Sequence, residues 1–358
     1  MFGPEEFNEE ILGCVIGGES AVDLRSLHLD TIEKAHRFLK TYGYDLEEAE
    51  DRDRLVALFL RAITYLKENY QAEVGAPPSE VSDIQKLGDP SQLIVYCSLP
   101  RDQVDRAVRR WSCATLRAMH VISHIEHDLF FTFSDLIQEQ VLANFRPHLI
   151  QDPIMGTVLG GTSRADQIPI KRFDVKPFKA TDSAVTKFLS KPQAVAISIY
   201  DKMGVRFVSR NIFEAFRVVR YLVAEELVSF PNILPDQSKN TLYPVNLLLE
   251  TLAETKGMLD SDEIEKQLEQ KLQTDSHRAL FRDRENEFSA DDYRVIKFIS
   301  RQLIRLPIDG RTSRFFFPYE VQIMDYDTHA RTLKGPTSHM AYKLRQKEAA
   351  KARLFSEA

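Results

Sequence analysis

The sequence has only three cysteines in 358 residues. Cys14, Cys97 and Cys113 show no CxxC spacing, so neither a disulfide framework nor a zinc site is indicated. No run approaches 18 apolar residues, and the acidic opening MFGPEEFNEE lacks the basic and apolar regions of a signal peptide. The expectation is a cytoplasmic protein with no membrane partner. A phosphate loop ending in GKS or GKT is also missing. Gly160-Gly161-Thr162 is the nearest candidate and, without a strand-to-helix context, reads as a turn. Positive charge is not in excess: the net charge is -6, which gives no general pull toward nucleic acid. The exception is residues 331 to 358, where seven Lys/Arg stand against two Asp/Glu. That stretch reads as a solvated amphipathic helix ending in a basic tail over 346–358.

What remains is ordinary globular composition, 43% hydrophobic and 28% charged, with length enough for two domains. Residues 30 to 42 and 51 to 70 place apolar side chains at helical spacing, and each stretch opens on an aspartate suited to a helix start. The Gly-, Pro- and Ser-rich VGAPPSEVSDIQKLGDPSQ reads as an irregular connection, and a long helical run follows from about Arg101 to Phe145. Its centre carries His120, His124, His127 and Asp128 at spacings that share one helix face. The His-Asp pair is followed by LFFTFSD rather than a second acidic pair. Helix histidines without metal are the expectation there. Residues 1–150 thus form a helical domain of unassigned role, and 151–167, rich in turn formers, a linker.

From Ile168 short strands alternate with helices, an α+β pattern running to about residue 345. IPIKRFDVK reads as a strand, KATDSAVTKFL as a helix with Ser183 and Lys187 one turn apart, and AVAISIY as a strand delivering Asp201 at its end. A turn at Lys202-Met203-Gly204 leads to the strand VRFVS and to a helix opened by Asn211 and Glu214 in capping-box style. A charged insertion near 255–290 contains DSDEIEKQLEQKLQTD, an exposed helix by its pattern. In FFFPYEVQIMD, Tyr319, Val321 and Ile323 alternate with Glu320, Gln322 and Met324, so Glu320 and Gln322 share one strand face. An edge strand with one solvated face satisfies this pattern. A buried carboxylate there would need a partner charge or a metal.

The segment from 315 to 343 resembles the last motif of the RelA/SpoT-type (p)ppGpp synthetases. Glu320, Val321, Gln322, Ile323, His329, Gly335, His339, Tyr342 and Lys343 fall at that family's spacing. Met324, Asp325, Thr332 and Leu333 depart from it. Two earlier motifs match in order. Lys179, Ser183 and Lys187 fit an RxKxxxSxxxK pattern in which Pro177 replaces the arginine, with Lys176 or Lys171 as stand-ins. Asp201, Gly204 and Arg206 fit YDxxGxR. The guanine-stacking loop is not matched; SKNTLYP with Tyr243 and DDYRVIKFISRQ with Tyr293 and Ser300 are its nearest candidates.

The resemblance implies an N-terminal helical domain before a nucleotidyltransferase-like mixed sheet flanked by helices, at about 168–345. It implies transfer of pyrophosphate from ATP to a hydroxyl acceptor, a guanosine nucleotide or the 3′ end of an RNA. Asp201 and Glu320 would be the catalytic pair that holds Mg²⁺. Lys179, Ser183, Lys187, Arg206, Gln322 and His329 would bind the nucleotide, and Glu320 is also placed to take the acceptor's proton. An inactive relative that binds a nucleotide or a protein is the alternative, and a homo-oligomer is compatible with either. The shared metal requires the two carboxylates to converge from neighbouring strands. With no metal between them, one should titrate high, and Lys179, Lys187 or Arg206 should supply the counter-charge.

Overall fold

The structure is a computed structural model and describes residues 14, 16, 20–24, 27–126, 132–160, 167–178, 181–191, 200–255, 261–282, 293–308, 310–333 and 339–356. The chain divides into two compact units. One comprises Met1–Leu129, Ala180–Ile199 and Leu344–Ala358, the other Phe130–Lys179 and Tyr200–Lys343. The division is therefore not the sequential one expected at residue 150.

The first unit is helical in its described residues. Helix α1 spans Ile32–Thr41 and is capped by Thr31, whose hydroxyl accepts from the Lys34 amide, while Asp30, expected to cap, pairs with Lys34 at 2.6 Å. Helix α2, Ala49–Val74, begins two residues before Asp51 and buries Leu55, Leu58, Phe59, Ala62, Ile63 and Leu66 along one stripe. The connection after it contains two single-turn helices, α3 (Ser79–Ser82) and α4 (Ile84–Leu87), so it is less irregular than its composition suggests. Helices α5 (Gln92–Ser98) and α6 (Arg106–Glu126) follow. Of the run expected over 101–145, the rest is α7, Ser134–Phe145, which belongs to the second unit. His127 and Asp128 lie outside the described residues. Helix α8, Thr181–Leu189, returns to the first unit and carries Ser183 and Lys187. No described helix is long and apolar enough to cross a membrane.

The second unit is built on a seven-stranded sheet of described strands. In chain order these are β1 (Leu149–Asp152), β2 (Gly156–Leu159), β3 (Ile168–Lys176), β4 (Gly204–Ser209), β5 (Lys239–Asn240), β6 (Ile296–Ile308) and β7 (Arg311–Asp325). Their order across the sheet is β1-β2-β3-β4-β7-β6-β5. The stretch 151–167, expected as a linker, thus contributes β2 and part of β1. All pairings are antiparallel except β4 with β7, which makes the sheet mixed. β7 is central rather than an edge strand, because β4 and β6 pair with its two sides.

Two faces follow from strand alternation. Phe207, Tyr319, Val321 and Ile323 enter one core with Ile137, Val141 and Phe145 of α7 and with Ala215, Val218 and Leu222 of α9, which spans Ile212–Ala224. Glu320, Gln322 and Met324 point the other way, and Met324 packs with Val208 and Val295. Helix α9 opens as its sequence indicates: the Asn211 side chain accepts from the amides of Phe213 and Glu214, and Glu214 accepts from the Arg210 amide. Helices α10 (Val245–Thr255) and α11 (Ser261–Thr274) pack together through Leu247, Leu248 and Leu268. The charged insertion is therefore amphipathic and docked by Leu268 rather than wholly exposed. After β7 come α12, Tyr326–Thr332, and α13, His339–Leu354. Asp325, a departure from the family motif, caps α12 by accepting from the Thr328 amide.

Candidate functional site

The register of the central strands sets two rows of residues across the sheet. One row runs Lys176, Gly204, Glu320 and Ile299; the next runs Asp174, Arg206, Gln322 and Lys297. Gly204 is required by the first row. A Cβ at this position would lie 2.7 Å from the Glu320 carbonyl oxygen and 3.0 Å from its Cβ. The Glu320 amide in turn donates to the Met203 carbonyl at 3.0 Å, so the backbone entering β4 is locked to the residue that carries the carboxylate.

Glu320 is 3% exposed. One of its carboxylate oxygens accepts from Lys176 Nζ at 2.7 Å and from Gln322 Nε2 at 2.8 Å; the other faces Lys297 Nζ at 3.4 Å. Arg206 Nε donates to Gln322 Oε1 at 3.1 Å, which orients the Gln322 amide so that its nitrogen faces Glu320. Burial would push the Glu320 carboxyl up. Lys176 and Lys297 outweigh burial and hold it down at about 2, while Asp201 opposes them. Burial pulls the Lys176 ammonium down, with Arg206 adding repulsion against the pull of Glu320; Lys297 is pushed up, chiefly by Glu320.

The expectation of a raised carboxylate is corrected for Glu320. Among the described residues, the counter-charges on Glu320 are Lys176 and Lys297, and Arg206 acts through Gln322. Asp201, just before the bend that enters β4, is half-buried, and its charge is felt by Glu320, Lys176 and Lys297. The strand expected over 194–200 lies, but for Tyr200, outside the described residues.

The other residues named from sequence fall on several elements. Lys179 lies outside the described residues. Ser183 and Lys187 stand on α8 in the first unit. Lys171, offered as a stand-in for the motif arginine, sits over the Tyr326 ring at 5.6 Å, whereas Lys176, the other stand-in, reaches Glu320. His329 is buried on α12 with no hydrogen-bond partner at Nδ1 among the described residues, and burial followed by the Arg206 charge draws its imidazole down. Tyr243 is stacked on Phe216, ring centroids 4.9 Å apart, inside a buried cluster. Tyr293 is different: its hydroxyl, raised by burial, also responds to Arg206, Glu320 and Lys297.

Lys297 was not foreseen. The signal available was a lone lysine inside the apolar strand IKFIS, two residues from an isoleucine that faces Glu320.

No family model matches the chain, and no curated protein does. Among solved structures, the crystal structure of the small alarmone synthetase 1 from Bacillus subtilis is similar to it. The identity is 13% and the TM-score 0.30, over 63% of this chain and 88% of that one.

In the first unit, the Tyr42 hydroxyl meets His120 Nδ1 at 2.6 Å, and the His120 and His124 rings lie 4.5 Å apart. Burial, helped by the charges of His124 and Arg353, brings the His120 imidazole down to about 4. Among the described residues no group of three or more His, Cys, Asp or Glu side chains is arranged to hold a metal.

Proposed function

We propose that the second unit is a polyphosphate-handling site of the RelA/SpoT type, transferring pyrophosphate from ATP to a hydroxyl acceptor. One observation carries the reading: Glu320 is buried in the middle of the sheet, ringed by Lys176, Lys297 and the Arg206-Gln322 pair, which hold its carboxyl down while the charge of Asp201 opposes them. Such a group costs much in desolvation, and cations pooled around one carboxylate suit a ligand that carries several negative charges.

The donor set also fits Mg²⁺, which takes one or two carboxylates together with substrate phosphates and water. Asp201 and Glu320 would hold it, and when bound it would neutralise charge on the polyphosphate. Lys176, Lys297 and Arg206 would orient the phosphates, leaving the β-phosphorus open to attack. The acceptor oxygen then bonds to that phosphorus and gives up its proton to water, the bond to the α–β bridging oxygen breaks, and AMP leaves. A carboxylate held at about 2 is a poor base at neutral pH, so Glu320 acts electrostatically rather than by taking the acceptor's proton. Tyr293 is the aromatic side chain that senses this cluster and is our choice for meeting an acceptor base, since Tyr243 is committed to packing.

The test is incubation of the full chain with γ-labelled ATP, Mg²⁺ and GDP, GTP or tRNA. The expected result is transfer of label with release of AMP, reduced about 10²-fold or more in Glu320→Gln and in Asp201→Asn. A second reading, a binding module without turnover, is favoured by the engagement of both Glu320 oxygens by ammonium groups. It predicts ATP binding that is indifferent to Mg²⁺ and no AMP with any acceptor.

A further inference from the structure

The cysteine pair of the helical unit is untouched by the proposed chemistry. Cys97 on α5 and Cys113 on α6 are 16 residues apart in sequence, both buried, with their sulfurs 2.8 Å apart and sharing a hydrogen bond. Two arginines bear on them. Arg109 donates to the Leu99 carbonyl, and buried Arg117 donates to the carbonyls of Leu24, Arg353 and Leu354 and to the Ser356 hydroxyl. We propose that Cys97 and Cys113 are a redox couple that hydrogen peroxide converts reversibly into an intramolecular disulfide.

The roles of the two sulfurs differ. The hydrogen bond with Cys97, assisted by Arg117 and Arg109, lowers the Cys113 thiol, whereas burial raises that of Cys97. Cys113, which is also the less buried of the two, is the attacking thiolate and Cys97 the resolving thiol. The Cys113 sulfur bonds to one peroxide oxygen, the O–O bond breaks, and hydroxide leaves with a proton as water. Cys97 then attacks the Cys113 sulfenic sulfur, the S–O bond breaks, and a second water carries off the Cys97 proton. Two thiols and one peroxide become one disulfide and two waters. Burial selects the oxidant. A peroxide molecule is small enough to reach sulfurs that are 3% and 7% exposed as residues, whereas exchange with a bulky disulfide requires open access.

The experiment treats the native full chain with hydrogen peroxide, alkylates the remaining thiols and maps tryptic peptides. Cleavage puts the two cysteines on separate peptides, 87–101 and 111–117, so the bond is read as a linked pair. The expected result is that pair, lighter by two hydrogens and released by dithiothreitol. The thermal midpoint of the oxidised protein should also rise by roughly 5–10 °C, because the bond closes a loop of this length. In Cys97→Ser a sulfenic-acid probe should label Cys113. Full alkylation of both cysteines after peroxide, cross-linking through Cys14 instead, or linkage only in denaturant would each overturn the proposal. The wild-type peptide map decides even where the variant does not fold.

Discussion

Two clusters that look alike in sequence, an acid beside a glutamine in β7 and histidines along α6, resolve into opposite solutions for a buried ionisable group. Glu320 remains charged because two ammonium groups and an amide meet it; His120 remains neutral because its neighbours are a phenol, another imidazole and a cation. In both places burial opposes the charged form. The partners decide whether it survives.

The largest effect should come from removing the partners of Glu320. Lys176→Met with Lys297→Met strands a buried carboxylate, and the sheet unit should lose about 3–5 kcal/mol in urea unfolding. Lys297→Met alone should cost less, because its contact is the longer one. Strictly additive losses in the two single changes and the double mutant would mean that the lysines do not act on one charge.

Next comes acid titration, where the two clusters should separate. His120 has a folded value of about 4 against 6.5, so the unfolded chain binds more protons between them. Its contribution is complete above 6.5 and lost as pH falls toward 4. Glu320 has a folded value of about 2 against 4.5, so its contribution is complete above 4.5 and lost as pH falls toward 2. Each is worth on the order of 3 kcal/mol at most. The single tryptophan, Trp111, is buried in the helical unit and reports on it by fluorescence; exchange of β7 amides reports on the sheet. Loss of both signals in one pH window would break the distinction.

A smaller effect is expected from His120→Phe, about 1–2 kcal/mol, because the Tyr42 hydroxyl loses its partner; the slope between pH 6.5 and 4 should flatten at the same time. The smallest belongs to Arg206→Met. The loss of one bond to a neutral amide, about 1 kcal/mol, is offset in part by relief of repulsion with Lys176. A loss above about 3 kcal/mol would instead make Arg206 a direct partner of the carboxylate.

Much of the sheet was readable in sequence because alternation is local. The strand over Ile168–Lys176, the strand over VRFVS and the two faces of β7 all follow from neighbouring residues. What was not readable depends on register between distant strands. Lys297 looks like any lysine until β6 is set antiparallel to β7, which puts it opposite Gln322. The fate of Tyr243 turned on Phe216, a residue of α9 distant in sequence. Asp30 lost its capping role to Thr31 through a choice between adjacent side chains that spacing cannot settle. The nearness of Cys97 to Cys113 likewise has no linear signature, since it arises from two helices packing.

The parallel pairing of β4 with β7, single among the described strands, has a consequence for how the molecule is made. Arg206 and Gln322 are 116 residues apart, whereas β6 and β7 meet in a hairpin closed by a short turn at Gly310. The hairpin can form early and fast; the β4 contact must await closure of a long loop. Glu320 and Lys297 can thus meet on the nascent hairpin, while Lys176 and Arg206 arrive only as β3 and β4 dock. Weakening Lys176 should accordingly speed unfolding and leave the folding rate nearly unchanged, whereas a lesion in the β6–β7 turn should slow folding itself.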